Sequence, residues 1–314
     1  MQRRRKVDER LPEWKLSVVC VVAVVFVVVS FSVAPVAQTP RFRARTDAVT
    51  VAVTVTDSVG RIITGLTRDD FQVFEDGIRE EITQFTDARV PVSLGVVLDS
   101  SDSMRGEAMS DARDALDRFV GELLDGDDEA FVATFNHIPR SMTPWRKPPA
   151  TLVNVLAGTR PTGGTAIYDA LAAFAPRFEE RSNVRAAMVV ISDGADTASD
   201  RTLQQAREVI RRSDAFVYAI AIDAPDARAS TRVSPDALRE ITGPSGGYTE
   251  VVRGADDLGP ATARIADELN KQYTLAFVSS RPPDNTWRNI RVHVTKGDYL
   301  ARSRRVYFAE KTSS

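Results

Sequence analysis

The chain has 314 residues, enough for about two folded units at roughly 100–200 residues each. Its net charge of −2 leaves no basic footprint for nucleic acid. With one cysteine, Cys20, and two histidines, it holds neither an intramolecular disulfide nor a zinc centre of Cys and His ligands.

The basic stretch MQRRRKVDERLPEWK opens the chain, and LSVVCVVAVVFVVVSFSVAPVA follows without a charge. That run is long enough to cross a hydrocarbon core of about 30 Å, and it exceeds a secretory apolar region of roughly 7–15 residues. Residues 1–37 are therefore expected to be a cytoplasmic basic flank and an uncleaved signal anchor, with a cleaved signal peptide as the alternative. Arg3, Arg4, Arg5, Lys6, Arg10 and Lys15 stay on the cytoplasmic side. Either way the main body is exported: periplasmic on a single inner-membrane span, or secreted. Cys20 lies inside the apolar run, so the body has no thiol chemistry.

Residues 38–47 form a polar linker. From Ala48 the pattern AVTVAVTVTD alternates with period two, and FQVFEDGIREEITQF reads as a strand, a turn at Asp76–Gly77 and a second strand. This all-β segment, 48–90, is marginal for a core of its own and is expected to borrow strands from elsewhere. Strands and helices then alternate over 91–271. Apolar strands are expected at 92–100, 128–136, 185–194 and 215–223. Helices are expected at 107–124, 166–180, 201–213 and 234–242, the last capped by Ser234 with Pro235 at its first position. A short strand in GGYTEVV and a final helix near 255–271 complete the series. Strands apolar on both faces and separated by helices predict an α/β fold with a doubly wound, mostly parallel sheet. After Gln272 the pattern is β again, in YTLAFVSS, WRNIRVHVT and YLARSRRVYFA. The strands of 48–90 and 272–311 are expected to form one β-sandwich into which the α/β unit is inserted.

Three polar clusters follow elements of the α/β unit. Asp99, Ser101 and Ser103 lie in DSSDSM, Thr165 precedes a helix in PTGGTAIYDAL, and Asp193 ends a strand in VVISDGADT. In a doubly wound sheet such strand ends meet on one edge. Two carboxylates and three hydroxyls suit a hard divalent cation, most naturally Mg²⁺, with Ca²⁺ or Mn²⁺ using similar donors. Each cluster also has a plainer reading: Ser103 or Thr165 as a helix cap, Asp99 as a charge at a helix N-terminus, Asp193–Gly194 as a turn.

The D-x-S-x-S pattern of Asp99, Ser101 and Ser103, with Thr165 and Asp193, resembles the metal ion-dependent adhesion site of von Willebrand factor A-type domains. The segments VTVTDSVGRIITGLTRDDFQVFEDGIREEITQF, QYTLAFVSS and RRVYF are similar to those of a bacterial, Acidobacterial-type group of exported von Willebrand factor A-related proteins. The resemblance implies hydroxyl ligands from Ser101, Ser103 and Thr165. It also implies direct or water-mediated ligation by Asp99 and Asp193, and a protein partner bound through a carboxylate. It further implies that the last helix shifts as ligands exchange. Asp102 departs from the pattern, which usually has Gly there; this third carboxylate raises cation affinity, favours Ca²⁺ or blunts attraction for an acidic ligand.

Two other function classes find less support in the sequence. A serine nucleophile needs a nearby base, and His137 reads as a loop residue while His293 lies in a polar strand. A phosphoryl-accepting aspartate lacks the second acid two positions on, and no phosphate-cradling Gly-rich loop is present. Catalysis is therefore not expected. A metal-independent scaffold of the cell envelope is the other alternative. Trp145 and Trp287 read as packing aromatics, and Arg211 and Arg212 as part of a solvated helix face.

Overall fold

The computed structural model describes residues 48–147, 153–223 and 234–311. Among these, no helix is long and apolar enough to cross a membrane. The basic flank, the apolar run and the linker lie outside the described residues.

The N-terminal β segment supplies β1 (Ala48–Thr56), β2 (Phe71–Glu75), β3 (Ile78–Glu80) and β4 (Ile82–Thr86). The α/β unit follows with β5 (Val92–Asp99), α1 (Glu107–Leu123), β6 (Glu129–Phe135), β7 (Arg140–Ser141), α2 (Val153–Leu156) and α3 (Ile167–Phe174). It continues with β8 (Arg185–Ser192), α4 (Leu203–Arg212), β9 (Phe216–Ile222), α5 (Pro235–Ser245), β10 (Thr249–Val252) and α6 (Ala255–Asn270). The chain closes with β11 (Tyr273–Val278), β12 (Thr286–Val294), β13 (Leu300–Arg302) and β14 (Val306–Ala309).

The central sheet has the order β10-β9-β8-β5-β6-β7 and is parallel except for β7. Every residue of β5, β8 and β9 is buried, because helices cover both faces. On one face Met109, Leu116 and Phe119 of α1 and Leu258, Ile265 and Leu269 of α6 pack on Leu94, Val96 and Val189. On the other, Phe174 of α3, Phe178, Ile210 of α4 and Ile241 of α5 pack on Val97, Phe131 and Val190. Chain order reverses at β5: the chain moves outward to β6, then returns to β8 on the opposite side. The crevice at the carboxyl ends of β5 and β8 is therefore the topological switch point, where such sheets bind ligands.

Two antiparallel sheets, β13-β1-β11-β4 and β14-β12-β2-β3, form the sandwich. Its core joins Val51, Val53 and Val73 from the N-terminal segment to Leu275, Phe277 and Val292 from the C-terminal one. The α/β unit is thus an insertion between the two halves of a sandwich. A buried polar joint links them: Glu268 of α6 accepts hydrogen bonds from Thr54 Oγ1 at 3.0 Å and Tyr218 Oη at 2.8 Å, and pairs with Arg302 of β13.

Several elements differ from their sequence pattern. The helix expected at 166–180 is α-helical only to Phe174 and continues as a 3-10 turn over 175–180. Pro176 there has no N–H for the next α-helical bond. The helix expected to stop at 242 runs to Ser245 through Pro244, with the Ser245 hydroxyl donating back to Thr242 O at 2.6 Å. Residues 78–86 form two strands, β3 and β4, in different sheets. YLARSRRVYFA likewise divides into β13 and β14, one in each sheet. At that crossing Arg305 N–H donates to Pro244 O at 3.1 Å and Arg304 Nη2 to Thr50 O at 2.9 Å, which holds the bend. The C-terminal end of α4 is not simply solvated: the Arg211 guanidinium lies 4.3 Å from the Trp287 ring centre. Trp145 packs edge-on against Phe131 and donates to Arg177 O at 2.8 Å.

Candidate metal centre

β5 ends at Asp99 and β8 at Ser192, neighbours at the switch point. Asp99 has no exposed surface. Its Oδ1 accepts the Ser101 N–H at 2.7 Å and its Oδ2 the Ser192 hydroxyl at 2.5 Å. These bonds fold the chain back over the strand end and turn the next residues toward β8. Ser101 Oγ lies 3.0 Å from Ser103 Oγ, and Ser103 Oγ donates to Asp193 Oδ1 at 2.7 Å. Thr165 comes in from the loop before α3. A Cβ placed on Gly194 would stand 3.0 Å from Thr165 Oγ1, so this hydroxyl lies against the residue that follows Asp193.

All five residues singled out in the sequence therefore gather at one edge. Ser101, Ser103 and Asp193 form a continuous chain of oxygens, Asp99 is bonded to the backbone of Ser101, and Thr165 packs beside Asp193–Gly194. Ser100 is an anchor, with both its N–H and its hydroxyl donated to Phe135 O at the end of β6. Asp102 N–H donates to Gly163 O at 2.9 Å and Thr162 N–H to Ser100 O at 2.8 Å, so the serine loop and the threonine loop are stitched together. Asp102 sits at the start of a short 3-10 turn, outside the left-handed region, so the backbone does not demand Gly at this position. Its carboxylate points outward and accepts from Arg105 Nη2 at 2.5 Å.

Burial pushes the Asp99 carboxyl up to about 6; the nearby Asp193 charge adds to this, and the donors Ser192 and Ser101 oppose it. Burial also raises Asp193, against the Ser103 hydroxyl bond. Among the described residues neither carboxylate has a basic side chain as partner, and no group of three or more His, Cys, Asp or Glu side chains is placed to hold a metal ion, so the donors here are two carboxylates and three hydroxyls. Two buried carboxylates without a basic partner are what a cation would compensate. Spacing agrees. Ligands about 2.1 Å from an octahedral Mg²⁺ stand about 3 Å apart on adjacent corners, and the serine and aspartate oxygens already stand 2.7 and 3.0 Å apart. The residues present fit the ion.

Supporting residues escaped the sequence reading. Ser192 holds Asp99, and Asn136 Nδ2 donates to Thr162 O at 2.8 Å. The N-terminus of α3 has no side-chain cap of its own. Asp196 Oδ2 accepts the Tyr168 N–H at 3.0 Å and Ser199 Oγ the Asp169 N–H at 3.1 Å, so a remote loop supplies the cap. Thr197 Oγ1 accepts the Thr165 N–H at 3.1 Å. The signal available was the density of acids and hydroxyls in DGADTASD, directly after Asp193. His137 and His293 are both exposed.

Residues 94–195 match the family model for the von Willebrand factor type A domain. A solved von Willebrand factor type A protein from Catenulispora acidiphila superposes with a TM-score of 0.52 at 14% identity, covering 76% of this chain and 72% of that one. Proximal thread matrix protein 1 from the mussel byssus, solved with zinc in its MIDAS motif, gives a TM-score of 0.51 at 14% identity. The alignment covers 67% of this chain and 50% of that one, so the chain spans about half that protein's length. Comparison with curated proteins gives no match. At these identities the superpositions speak for the fold, and the match of residues 94–195 to the von Willebrand factor type A domain falls on the strands and loops that build the oxygen cluster.

Proposed function

We propose that the protein is an exported, membrane-tethered binding protein. In this reading it holds a divalent cation, most naturally Mg²⁺, through Asp99, Ser101, Ser103, Thr165 and Asp193, and captures a partner protein by an exposed Asp or Glu carboxylate. The observation that carries it is the convergence of two buried, unpaired carboxylates and three hydroxyls at the switch point. When bound, the cation supplies an electrophilic position for an external carboxylate. The chain's own residues fix the donors: Ser192 and the Ser101 N–H orient Asp99, Ser103 orients Asp193, and Thr197 holds the Thr165 backbone.

No turnover is proposed. The hydroxyls of Ser101 and Ser103 bond each other and Asp193 rather than an imidazole, which supports a binding role over a nucleophilic one. The uncharged run within residues 1–37 supports the tether.

Thermal unfolding with Mg²⁺ and with chelator tests the reading. A cation at 100 times its dissociation constant stabilises the fold by about 2.7 kcal/mol. The midpoint of the wild type should rise with Mg²⁺, and that of Asp193→Asn and Thr165→Ala should not. A wild type that melts identically in both buffers favours the metal-independent scaffold.

A further inference from the structure

We propose that Arg105 is a positioning residue that holds the Asp102 carboxylate away from the cation site, and so keeps that site open to an external carboxylate. The inference rests on the metal-site reading above.

Asp102 lies between Ser101 and Ser103, two of the residues that gather at the site, so its backbone is fixed at the rim. Its N–H is tied to Gly163 O at 2.9 Å, which leaves the side chain as the mobile part. That side chain is 58% exposed and has one basic partner among the described residues, Arg105, whose own side chain is 65% exposed. Next to a cation, an unneutralised carboxylate here has two effects of one origin. It adds attraction for the metal, and it repels or displaces any other carboxylate approaching the same position. Arg105 cancels the charge and fixes its direction. Being exposed, the pair contributes little to stability, so its presence beside the oxygen cluster is not explained by folding. Removing it should leave the fold intact while changing the site.

The probes are Mn²⁺ and acetate. Mn²⁺ binding to the full chain is followed by paramagnetic resonance, and acetate is then titrated onto the Mn²⁺-loaded protein. Relative to the wild type, Arg105→Ala should bind Mn²⁺ roughly threefold to tenfold more tightly and acetate more weakly by a similar factor. Asp102→Asn in the Arg105→Ala background should return both constants to the wild-type values, and Arg105→Lys should not move them. The inference is overturned if Arg105→Ala matches the wild type, or if the double variant keeps the Arg105→Ala values, since Arg105 would then act without Asp102. If the wild type binds no Mn²⁺ at all, the metal reading fails and takes this inference with it.

Discussion

Asp99 concentrates the physics of the site. It ends a strand buried on both faces, with its carboxyl raised to about 6 by that burial. Folding therefore favours its protonated form. Such a group adds stability that is complete below its unfolded value near 4 and is lost as pH rises through about 6. Asp193 shifts in the same direction. The sandwich and loop carboxylates Glu75, Asp76 and Asp169 shift the other way, so their contribution is lost only at more acid pH. In chelator, stability measured by denaturant unfolding should fall between about pH 4 and 6, by on the order of 2–3 kcal/mol. Asp99→Asn should flatten that window. Mg²⁺ should also remove the fall, because it binds the ionised form, and its affinity should weaken below about pH 6 as protons compete. A wild type whose stability rises steadily from pH 4 to 7 in chelator would contradict this account of Asp99.

At the scale of elements, the packing of β5 depends on a close approach. Gly95, in the middle of β5, faces the Phe131 ring of β6, and a Cβ there would stand 2.6 Å from that ring and 3.0 Å from Phe178. Gly95→Ala should destabilise the fold by about 1–3 kcal/mol, read as a lower denaturation midpoint. Pairing it with Phe131→Leu should recover part of the loss, and an additive double variant would show that the ring is not the obstacle. Gly95 also illustrates what the sequence carries. The runs VSLGVVLDS and RAAMVVISDG announce strands buried on both faces, and α1 announces itself by the spacing of Met109, Leu116 and Phe119. These signals are local: a strand or helix writes its burial into its own periodicity. The sandwich's crossing at 303–305, the split of β3 from β4 and the stacking of Arg211 on Trp287 depend on partners far along the chain and leave no period behind. The site divides in the same way. Asp99, Ser101 and Ser103 share one stretch, whereas the hold of Ser192 on Asp99 and the capping of α3 by Asp196 and Ser199 become visible only once β5 and β8 lie side by side.

For the whole molecule, the question is whether the inserted α/β unit and the sandwich act as one body. α6 leads directly into β11, and Glu268 near its end gathers Thr54 from β1, Tyr218 from β9 and Arg302 from β13. Gln272 Nε2 adds a bond to Thr54 Oγ1 at 3.2 Å, and Arg302 lies 5.0 Å from the Tyr248 ring centre. Glu268 is 4% exposed, so its removal leaves the buried hydroxyls of Thr54 and Tyr218 short of an acceptor, while the partly exposed Arg302 can turn to water. Losing that buried acceptor costs about 1–3 kcal/mol. Two tryptophans serve as reporters: Trp145 packs within the α/β unit on Phe131 and Phe178, and Trp287 lies in β12 of the sandwich against Phe308, where Arg211 of α4 also covers its ring. With Trp14 replaced by Phe and each reporter kept singly, their unfolding curves should coincide in the wild type, as a single cooperative body requires. Mg²⁺ should then move both curves together, although the proposed site touches only the α/β unit. In Glu268→Ala both midpoints should fall, and Mg²⁺ should shift the Trp145 curve while the Trp287 curve stays in place. Curves that already diverge in the wild type would mean that the joint transmits nothing and that events at the cation site end within the α/β unit.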